Sequence, residues 1–346
     1  MNNSIVTLSS TKNNSSLDYD NYIAVDWSQV NMAIATSKRK SEEIQAVDLR
    51  TNLRDMKDYL DNLKGSKILT IEECPAAQWL YVELMEYVDK VLICDPYRNR
   101  LLSDGPKNDP IDAKKLCLLL KNGLLREVYH THNSLFELRK YVSAYEDIIQ
   151  AGVRLKNQRS ALFRSEGKNH RKESVKSDIN NFIVGIIDKN IETYEQDRKQ
   201  YLSLFTKIKK HNSELKNLCM IPGIDTISAV KILAEVVEAH RFPEKGKYLA
   251  HCGLVKYKRI SGQKMYGFRK PRYSRILKSV YKTAAVVAIM MSDNPIKDYY
   301  ESLLEKGIEV HNARNAVARH IAIITYGMLK SGGKYKPYKK KSNKIK

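Results

Sequence analysis

The spacing of apolar residues changes abruptly near residue 133, and this change constrains the fold more than any other feature of the chain. Before it, short apolar runs of strand length alternate with segments of helical spacing. After it, apolar residues recur every three or four positions as far as about residue 218. Because strands and helices bury side chains with different periods, the chain is predicted to be an α/β domain followed by α-helical structure.

The first region, 21–130, is predicted to be a mixed α/β layer. Its strands are expected at 22–27, 31–36, 43–49, 67–71 and 90–94. Its helices are expected at 51–63, 75–87 and 110–121. The polar residues 1–20 that precede it are expected to be a disordered leader, because they lack the apolar core of a signal peptide.

The second region, 131–217, is predicted to be a helical coiled-coil hairpin, with two long amphipathic helices separated by the basic stretch 164–176. Such a hairpin could pair two subunits, or it could pack between the domains of one chain, and both interpretations stay open. The third region, 218–330, is expected to be mainly helical. The lysine-rich tail 331–346 is expected to be disordered, and either to contact phosphates or only to keep the chain in solution.

The charge of the chain indicates its partner. The 346 residues include 60 Lys and Arg against 39 Asp and Glu, which gives a formal net charge of +21. This excess predicts a polyanionic partner, although a merely basic protein is the alternative. The longest apolar run, 284–291, is far shorter than the roughly 18 residues that span a membrane. Nucleic acid is therefore the expected partner, and no membrane is expected.

The five cysteines are scattered along the chain and form no Cys-x-x-Cys pair: Cys74, Cys94, Cys117, Cys219 and Cys252. This pattern excludes a zinc ribbon and favours packed thiols in a reducing compartment. The expected location is therefore the cytoplasm, in association with the prokaryotic nucleoid.

Four carboxylates of the first region form a candidate metal centre. Asp26 interrupts an apolar strand, where an ionised side chain is costly unless it is paired or bound to a metal. Glu72 ends a second strand, and Asp109 and Asp112 share one side of a helix start. Hard oxygen ligands from separate elements can hold two Mg²⁺ ions, or Mn²⁺, for phosphoryl transfer.

Each of these carboxylates also has a structural explanation. Asp109 precedes Pro110 and could be a helix N-cap, with Asp112 favouring the helix dipole from the first turn. Glu72, which is followed by Glu73, could simply face water at the end of its strand. The order of the set, a strand Asp, a strand-end Glu and then Asp-x-x-Asp on a later helix, favours the metal centre.

This order resembles the DEDD transposases of bridge-RNA-guided insertion sequences, the insertion-sequence one-ten family, which is related to the Piv DNA invertase. The similarity rests on Ala-Val-Asp at 24–26, Ile-Glu at 71–72 before Trp-Leu at 79–80, and Lys-Asn-Asp-Pro-Ile-Asp-Ala at 107–113. It implies a RuvC-like, ribonuclease-H-like fold for 21–130. It also implies a metal-binding catalytic set that consists of Asp26, Glu72, Asp109 and Asp112, with Glu72 preferred to Glu73 for its spacing before the Trp-Leu pair.

The third region is similar to the C-terminal transposase domain of the same family. It carries Ile-Pro-Gly-Ile at 221–224, Arg-Phe at 241–242, Gly-Leu at 253–254 and Ser-Gly at 261–262. The resemblance implies that Ser261 is a nucleophile that forms a phosphoserine bond to DNA. By itself, a Ser-Gly dipeptide between basic segments is usually a turn. The chain departs from the family where Tyr-Ser stands at 273–274 in place of Gly-Asn, and where Lys278 replaces an arginine.

The segment 218–229 is predicted to be a helix, a tight Pro-Gly turn and a second helix. It resembles a helix-hairpin-helix, whose turn amides bind a phosphate, although Asp225 stands at the usual second glycine. A plain helical turn is the alternative interpretation.

Basic residues surround the Ser-Gly dipeptide and are interleaved with aromatic residues. Cations can reach phosphates, aromatic rings can stack on exposed bases, and an ordinary surface loop is the alternative. The candidate nucleic-acid-binding residues are Lys256, Lys258, Arg259, Lys264, Arg269, Lys270, Arg272 and Arg275.

The resemblance implies a transposase that cleaves and rejoins donor and target DNA, with composite sites shared between subunits of a homodimer or homotetramer. It also implies a noncoding bridge RNA that pairs with both DNAs and so determines sequence choice. Two alternatives stay open. One is an unguided invertase or junction-resolving nuclease that uses the same carboxylates, and the other is a non-enzymatic architectural DNA-binding protein.

Overall fold

The computed structural model describes residues 18–97, 108–171 and 173–337. The chain forms two compact units, of which the first ends at His132 and the second begins at Asn133. Most of the expected leader and the tail beyond residue 337 lie outside the described residues. Among the helices that are described, none is long and apolar enough to cross a membrane.

The first unit is built on a five-stranded mixed sheet of order β3-β2-β1-β4-β5. Strands β1, β2 and β3 pair antiparallel, whereas β1, β4 and β5 pair parallel. The strands are β1 (Asn21–Trp27), β2 (Asn31–Lys38), β3 (Gln45–Arg50), β4 (Lys67–Glu72) and β5 (Lys90–Cys94). The helices are α1 (Leu53–Asn62), α2 (Ala77–Leu84) and α3 (Asp109–Lys121). The mixed α/β architecture expected from the sequence is thereby confirmed.

Both faces of the sheet are covered, which explains why its central strands are apolar throughout. Ile23 and Val25 of β1 face a core that includes Met56 of α1 and Leu80 of α2. Tyr22 and Ala24 face the opposite way, into a core that contains Ala113, Cys117 and Leu120 of α3. Successive residues of one strand therefore pack into different cores, because side chains alternate between the two faces of a strand.

Helix α3 runs antiparallel to β1. The Cys117 thiol donates to the backbone carbonyl of Tyr22 at 3.3 Å, and Lys121 Nζ donates to the carbonyl of Lys38 at 2.9 Å. Tyr22 lies near the start of β1, and Lys38 pairs with the first residue of that strand. The first turn of α3 therefore lies at the carboxyl end of β1.

The second unit is mainly helical. Its helices are α4 (Leu138–Ser165), α5 (Asp178–His211), α6 (Ser213–Leu218), α7 (Thr226–Val236), α8 (Lys245–His251), α9 (Arg275–Met290), α10 (Pro295–Glu305) and α11 (Val310–Ser331). Short 3-10 turns occur at Ser134–Phe136 and Ala239–Arg241. Its main core joins α4 and α5 to the helices that follow them.

The two long helices expected from the periodicity are present as α4 and α5. The rings of Tyr145, Tyr201 and Phe205 contact one another between them. The ring of Tyr194 lies so close to Gly152 that an added Cβ would come within 2.4 Å of it. Lys231 of α7 forms an ion pair with Glu146 of α4. The helical hairpin therefore packs within its own chain at the α7 end.

The region 218–330 is mainly helical, as expected, but one segment forms strands that the sequence did not predict. Residues 257–269 form an antiparallel hairpin of β6 (Tyr257–Ser261) and β7 (Lys264–Arg269). Gly262 and Gly267 have φ of 58° and 100°, which interrupts helical geometry. Tyr, Ile and Phe in this segment are residues that are enriched in strands.

Candidate functional site

Asp26 and Glu72 lie on adjacent parallel strands at the same edge of the sheet. Val25 pairs with Ile71, so the register makes Asp26 and Glu72 the next pair along β1 and β4. Alternation places both residues on the face of Ala24 and Thr70, which is the face that α3 covers.

The first turn of α3 reaches the same edge. Asp26 is four residues beyond Tyr22, which is about 13 Å along a strand. Asp109 is eight residues before Cys117, which is about 12 Å along a helix. Because Cys117 is hydrogen-bonded to Tyr22, Asp109 lies near the level of Asp26, and Asp112 lies about 4.5 Å short of Asp109 along the helix. The fold therefore brings all four predicted carboxylates to one end of one sheet face.

The acidic first turn of α3 is not explained by Asp109 as an N-cap. The N-cap position is Asn108, and Asp109 and Asp112 both lie inside the first turn, where they favour the helix dipole. Asp112 Oδ1 lies 3.7 Å from Lys115 Nζ. Among the described residues, no group of three or more acidic, histidine or cysteine side chains is close enough together to hold a metal ion.

Glu73 has different partners from Glu72. Its carboxylate is 2.7 Å from Nε2 of the buried His130 side chain, and His130 Nδ1 is 2.8 Å from Gln78 Oε1. Gln78 Nε2 donates to the carbonyl of Thr131 at 2.8 Å, which fixes the orientation of that amide. Sequence reasoning missed this network, because His130 lies 57 residues from Glu73 and no local pattern connects them.

Ser261 lies at the turn of the β6–β7 hairpin. It pairs with Lys264, which leaves Gly262 and Gln263 as a two-residue turn. Gly262 has φ of 58°, the positive value that glycine adopts most easily. Every residue of the two strands is exposed except Gly267, which is half-buried. The predicted nucleophile is therefore a surface serine whose local turn is explained by its glycine neighbour.

An extra residue in β7 determines which side chains share a face with Ser261. Lys258 pairs with Phe268 and Ile260 pairs with Met265, so two steps on β6 match three on β7. Such a bulge reverses the alternation of β7 on one side of it. Residues paired across strands share a face. We call the side of the hairpin that carries Ser261 the Ser261 face. The pairing and the alternation of β6 place five residues on it: Tyr257, Arg259, Ser261, Lys264 and Arg269.

The hairpin is held at its base by the segment that leads into α9. Ser274 Oγ accepts from the backbone N–H of Leu277 at 3.2 Å and donates to the Glu235 carboxylate at 2.7 Å. The ring of Tyr273 lies against Gly253, where an added Cβ would be 2.5 Å away. The Tyr-Ser pair that departs from the family pattern therefore provides the helix cap and a ring contact.

Tyr273 is also surrounded by cations. Lys278 Nζ lies 3.3 Å from the Tyr273 hydroxyl and 4.8 Å from the ring centroid. The Lys278 ammonium lowers the pKa of the Tyr273 phenol, with smaller effects of Lys270 and Arg275. Lys278 thus keeps a positive charge beside the base of the hairpin.

Two arginines bind the carboxyl end of α7. Arg139 Nε donates to the carbonyl of Ala234 at 3.1 Å, and Arg241 Nε donates to that of Val236 at 3.1 Å. Arg241 Nη2 also lies 3.3 Å from His251 Nε2. Burial, together with Arg241 and Arg139, lowers the pKa of His251 to about 4. His251 is therefore neutral near pH 7 and can accept a hydrogen bond from Arg241.

The Ile-Pro-Gly-Ile segment is a turn that packs on α9. Gly223 has φ of 86°, and an added Cβ would lie 2.2 Å from the carbonyl oxygen of Ala284. The Asp225 side chain accepts from the backbone N–H of Ser228 at 2.8 Å and so caps α7. A carboxylate already binds the amide that a phosphate would use, which favours the plain helical turn over a phosphate-binding motif.

The basic candidates lie on or beside the hairpin. Lys256 precedes β6, Lys270 and Arg272 follow β7, and Arg275 is the first residue of α9. The chain contains no Asp or Glu between Glu244 and Asp293. An exposed basic hairpin in an acid-free segment of a helical domain is typical of nucleic-acid-binding proteins.

The comparison with known families specifies this class further. Residues 215–301 match the sequence model described as Transposase IS116/IS110/IS902 family. This part of the 346-residue chain is therefore similar to the transposases of the insertion-sequence IS110 family. The match includes the Ile-Pro-Gly-Ile turn, the hairpin and Ser261. No curated protein matches the chain.

Proposed function

We propose that this chain is an insertion-sequence transposase that cleaves and rejoins DNA through a phosphoserine bond at Ser261. The observation that carries the proposal is the Ser261 face of the hairpin, where Arg259, Lys264 and Arg269 accompany an exposed serine inside the family match. Guanidinium and ammonium groups bind phosphate oxygens and neutralise the charge that develops there during displacement.

The reaction is a transesterification at phosphorus. Ser261 Oγ attacks the scissile phosphate and loses its proton, while the bond from phosphorus to the leaving sugar oxygen breaks and that oxygen takes up a proton. The phosphodiester is conserved as a serine ester. A strand hydroxyl then attacks the same phosphorus and releases Ser261, so strands rejoin without an external energy source.

Asp26, Glu72, Asp109 and Asp112 would hold two Mg²⁺ ions, or Mn²⁺ in their place. The donor set suits these ions by its chemistry, because it consists of hard carboxylate oxygens from two strands and one helix. A bound ion would have to draw these side chains closer together than they lie in the described residues. Glu72 is preferred to Glu73 as the metal ligand, because the Glu73 carboxylate is hydrogen-bonded to His130. Bound Mg²⁺ would polarise the phosphate and stabilise the leaving oxygen.

The proposal includes guidance by a noncoding bridge RNA and action as a homodimer or homotetramer on donor and target DNA. The net charge of +21 supports a large polyanionic partner. The purified protein should retain a discrete RNA species at moderate salt. Recovery of only heterogeneous, easily removed RNA would favour an unguided invertase or resolving nuclease.

The deciding experiment traps the covalent bond. Wild-type protein, Ser261→Ala and the control Ser292→Ala would be mixed with a nicked suicide substrate taken from the ends of the mobile element. Wild-type and Ser292→Ala should form a denaturant-resistant adduct that peptide mapping locates at Ser261. Ser261→Ala should bind DNA and form none. An adduct that persists in Ser261→Ala would show that another residue is the nucleophile, and full binding without cleavage by wild-type would favour an architectural protein.

A further inference from the structure

The face of the hairpin opposite Ser261 is apolar and exposed. Pairing and β6 alternation place Lys258, Ile260, Met265 and Phe268 there. Ile260, Met265 and Phe268 are 62%, 51% and 59% exposed. The bulge in β7 creates this segregation, because an unbroken strand would put Met265 and Phe268 on opposite faces.

An exposed apolar face on a two-stranded hairpin indicates a binding surface. Isolated hairpins are only marginally stable in water, and large apolar side chains gain little while they stay hydrated. Solvent-exposed apolar clusters that are rimmed by polar groups mark sites of interaction. We therefore expect a binding partner of this hairpin to cover Ile260, Met265 and Phe268.

Charge identifies the occupant. The face is bordered by Lys256, Lys258 and Lys270, and no acidic residue occurs between Glu244 and Asp293. A second copy of the same face would bring the same lysines to the same place, and like charges disfavour that contact. DNA provides negative phosphates for the lysines and flat apolar bases for the three side chains.

We propose that Ile260, Met265 and Phe268 form a wedge that enters between stacked bases while the Ser261 face binds the backbone. A two-stranded ribbon fits the major groove, and apolar side chains inserted at a base step unstack and kink the duplex. Ile260 directly precedes Ser261, so unstacking occurs next to the phosphate that the serine attacks. This inference rests on the proposed function, the cleavage and rejoining of DNA. It gives the hairpin the additional role of deforming the DNA.

The test compares two probes: a fluorescein-labelled duplex, and the same duplex with one central mismatch. Insertion costs least where bases are already poorly stacked, so wild-type protein should bind the mismatched duplex more tightly. Ile260→Ala, Met265→Ala and Phe268→Ala would be measured singly and together by fluorescence anisotropy. Phe268→Ala should lower affinity for the mismatched duplex about tenfold, and the triple variant should lose the preference. The three single variants and the triple variant should all bind the perfect duplex nearly as wild-type does.

Two controls separate the wedge from general DNA binding. Met290→Ala removes an exposed methionine of α9 and should keep the preference. Arg269→Gln should weaken binding to both probes and reduce the salt dependence, because it removes a phosphate contact. Melting curves verify that each variant is folded.

The wedge is overturned if the triple variant retains the mismatch preference, or if wild-type binds both duplexes equally. It is also overturned if the triple variant changes the subunit number measured by light scattering, since the face would then lie between copies. These readouts do not use cleavage. A protein that binds no DNA contradicts the proposed function itself, whereas a protein that cleaves DNA without mismatch preference contradicts only the wedge.

Discussion

Ser274 joins the start of α9 to the end of α7 by donating a 2.7 Å hydrogen bond to the carboxylate of Glu235. The same hydroxyl caps α9 by accepting from the N–H of Leu277. Since the β6–β7 hairpin ends five residues earlier at Arg269, this bond fixes the point at which the hairpin leaves the helical core.

Ser274→Ala should therefore destabilise the second unit by about 1–2 kcal/mol, because it removes a helix cap and leaves Glu235 without its hydroxyl donor. Urea unfolding measures the change. The exposed Ser292→Ala is the matched control and should stay within about 0.5 kcal/mol of wild-type. Equal stability of the two variants would contradict the role given to Ser274.

Asp26→Asn and Asp112→Asn should abolish Mg²⁺-dependent DNA cleavage and leave the fold intact, because each removes a proposed ligand and few packing atoms. The metal can be measured without activity. Mg²⁺ should raise the Tm of wild-type protein and of the control Asp61→Asn, but not that of either variant, since only the folded state binds it. Equal stabilisation of all four proteins would exclude these two carboxylates as ligands.

Gly223→Ala should prevent stable folding or cost more than about 3 kcal/mol. The residue has φ of 86°, and the new Cβ would lie 2.2 Å from the carbonyl oxygen of Ala284. Gly123→Ala is the control: it also has positive φ, at 65°, but nothing lies within 4 Å of its Cβ position. It should cost about 1–2 kcal/mol. Similar losses in the two variants would show that backbone conformation alone determines the effect.

Stability should fall as the pH decreases from about 6.5 to 4, through protonation of His251. The pKa of His251 is lowered to about 4 in the folded protein, so the unfolded chain binds this proton first. This stabilisation is fully present above pH 6.5. The loss of unfolding free energy on going to pH 4 is at most about 3 kcal/mol. His251→Gln should flatten this part of the pH profile, whereas the exposed His311→Gln should not. Parallel profiles for wild-type and His251→Gln would refute the assignment.

The first two turns of α5 carry an exposed apolar stripe of helical spacing, which consists of Ile179, Phe182, Ile183 and Ile186. If the helical hairpin also pairs subunits, this stripe is the surface that it would use. Phe182→Ser with Ile186→Ser should then lower the mass measured by light scattering. An unchanged mass would assign the hairpin to packing within one chain only.

The helices and strands whose buried apolar residues recur at regular spacing were predictable from the sequence. Ile23, Val25 and their neighbours mark β1, and the apolar spacing of α4 and α5 marks two long helices, because each pattern is local and periodic. The β6–β7 hairpin was missed as a pair of strands. It is exposed on both faces, so burial imposes no alternation on its sequence, and only its turn at Ser261 and Gly262 could be predicted.

The candidate carboxylates were also found by sequence, since Asp26 within an apolar strand needs a reason to be there. Their convergence required the tertiary structure, because the Cys117–Tyr22 contact determines the direction of α3. The same is true of the Glu73–His130 pair and of the Glu235–Ser274 bond, whose residues are 57 and 39 positions apart.

The sequence by itself determined the element types of the two units outside the β6–β7 hairpin, the basic and acid-free character of the C-terminal segment, and the residues that carry the family resemblance. Only the tertiary structure decided which of these residues share a surface. A one-residue bulge in β7 places Lys264 and Arg269 beside Ser261 and leaves Met265 and Phe268 on the other face. The physical reason is that side-chain direction in a strand reverses at every residue, so pairing register, which sequence does not encode locally, determines the chemistry of each face.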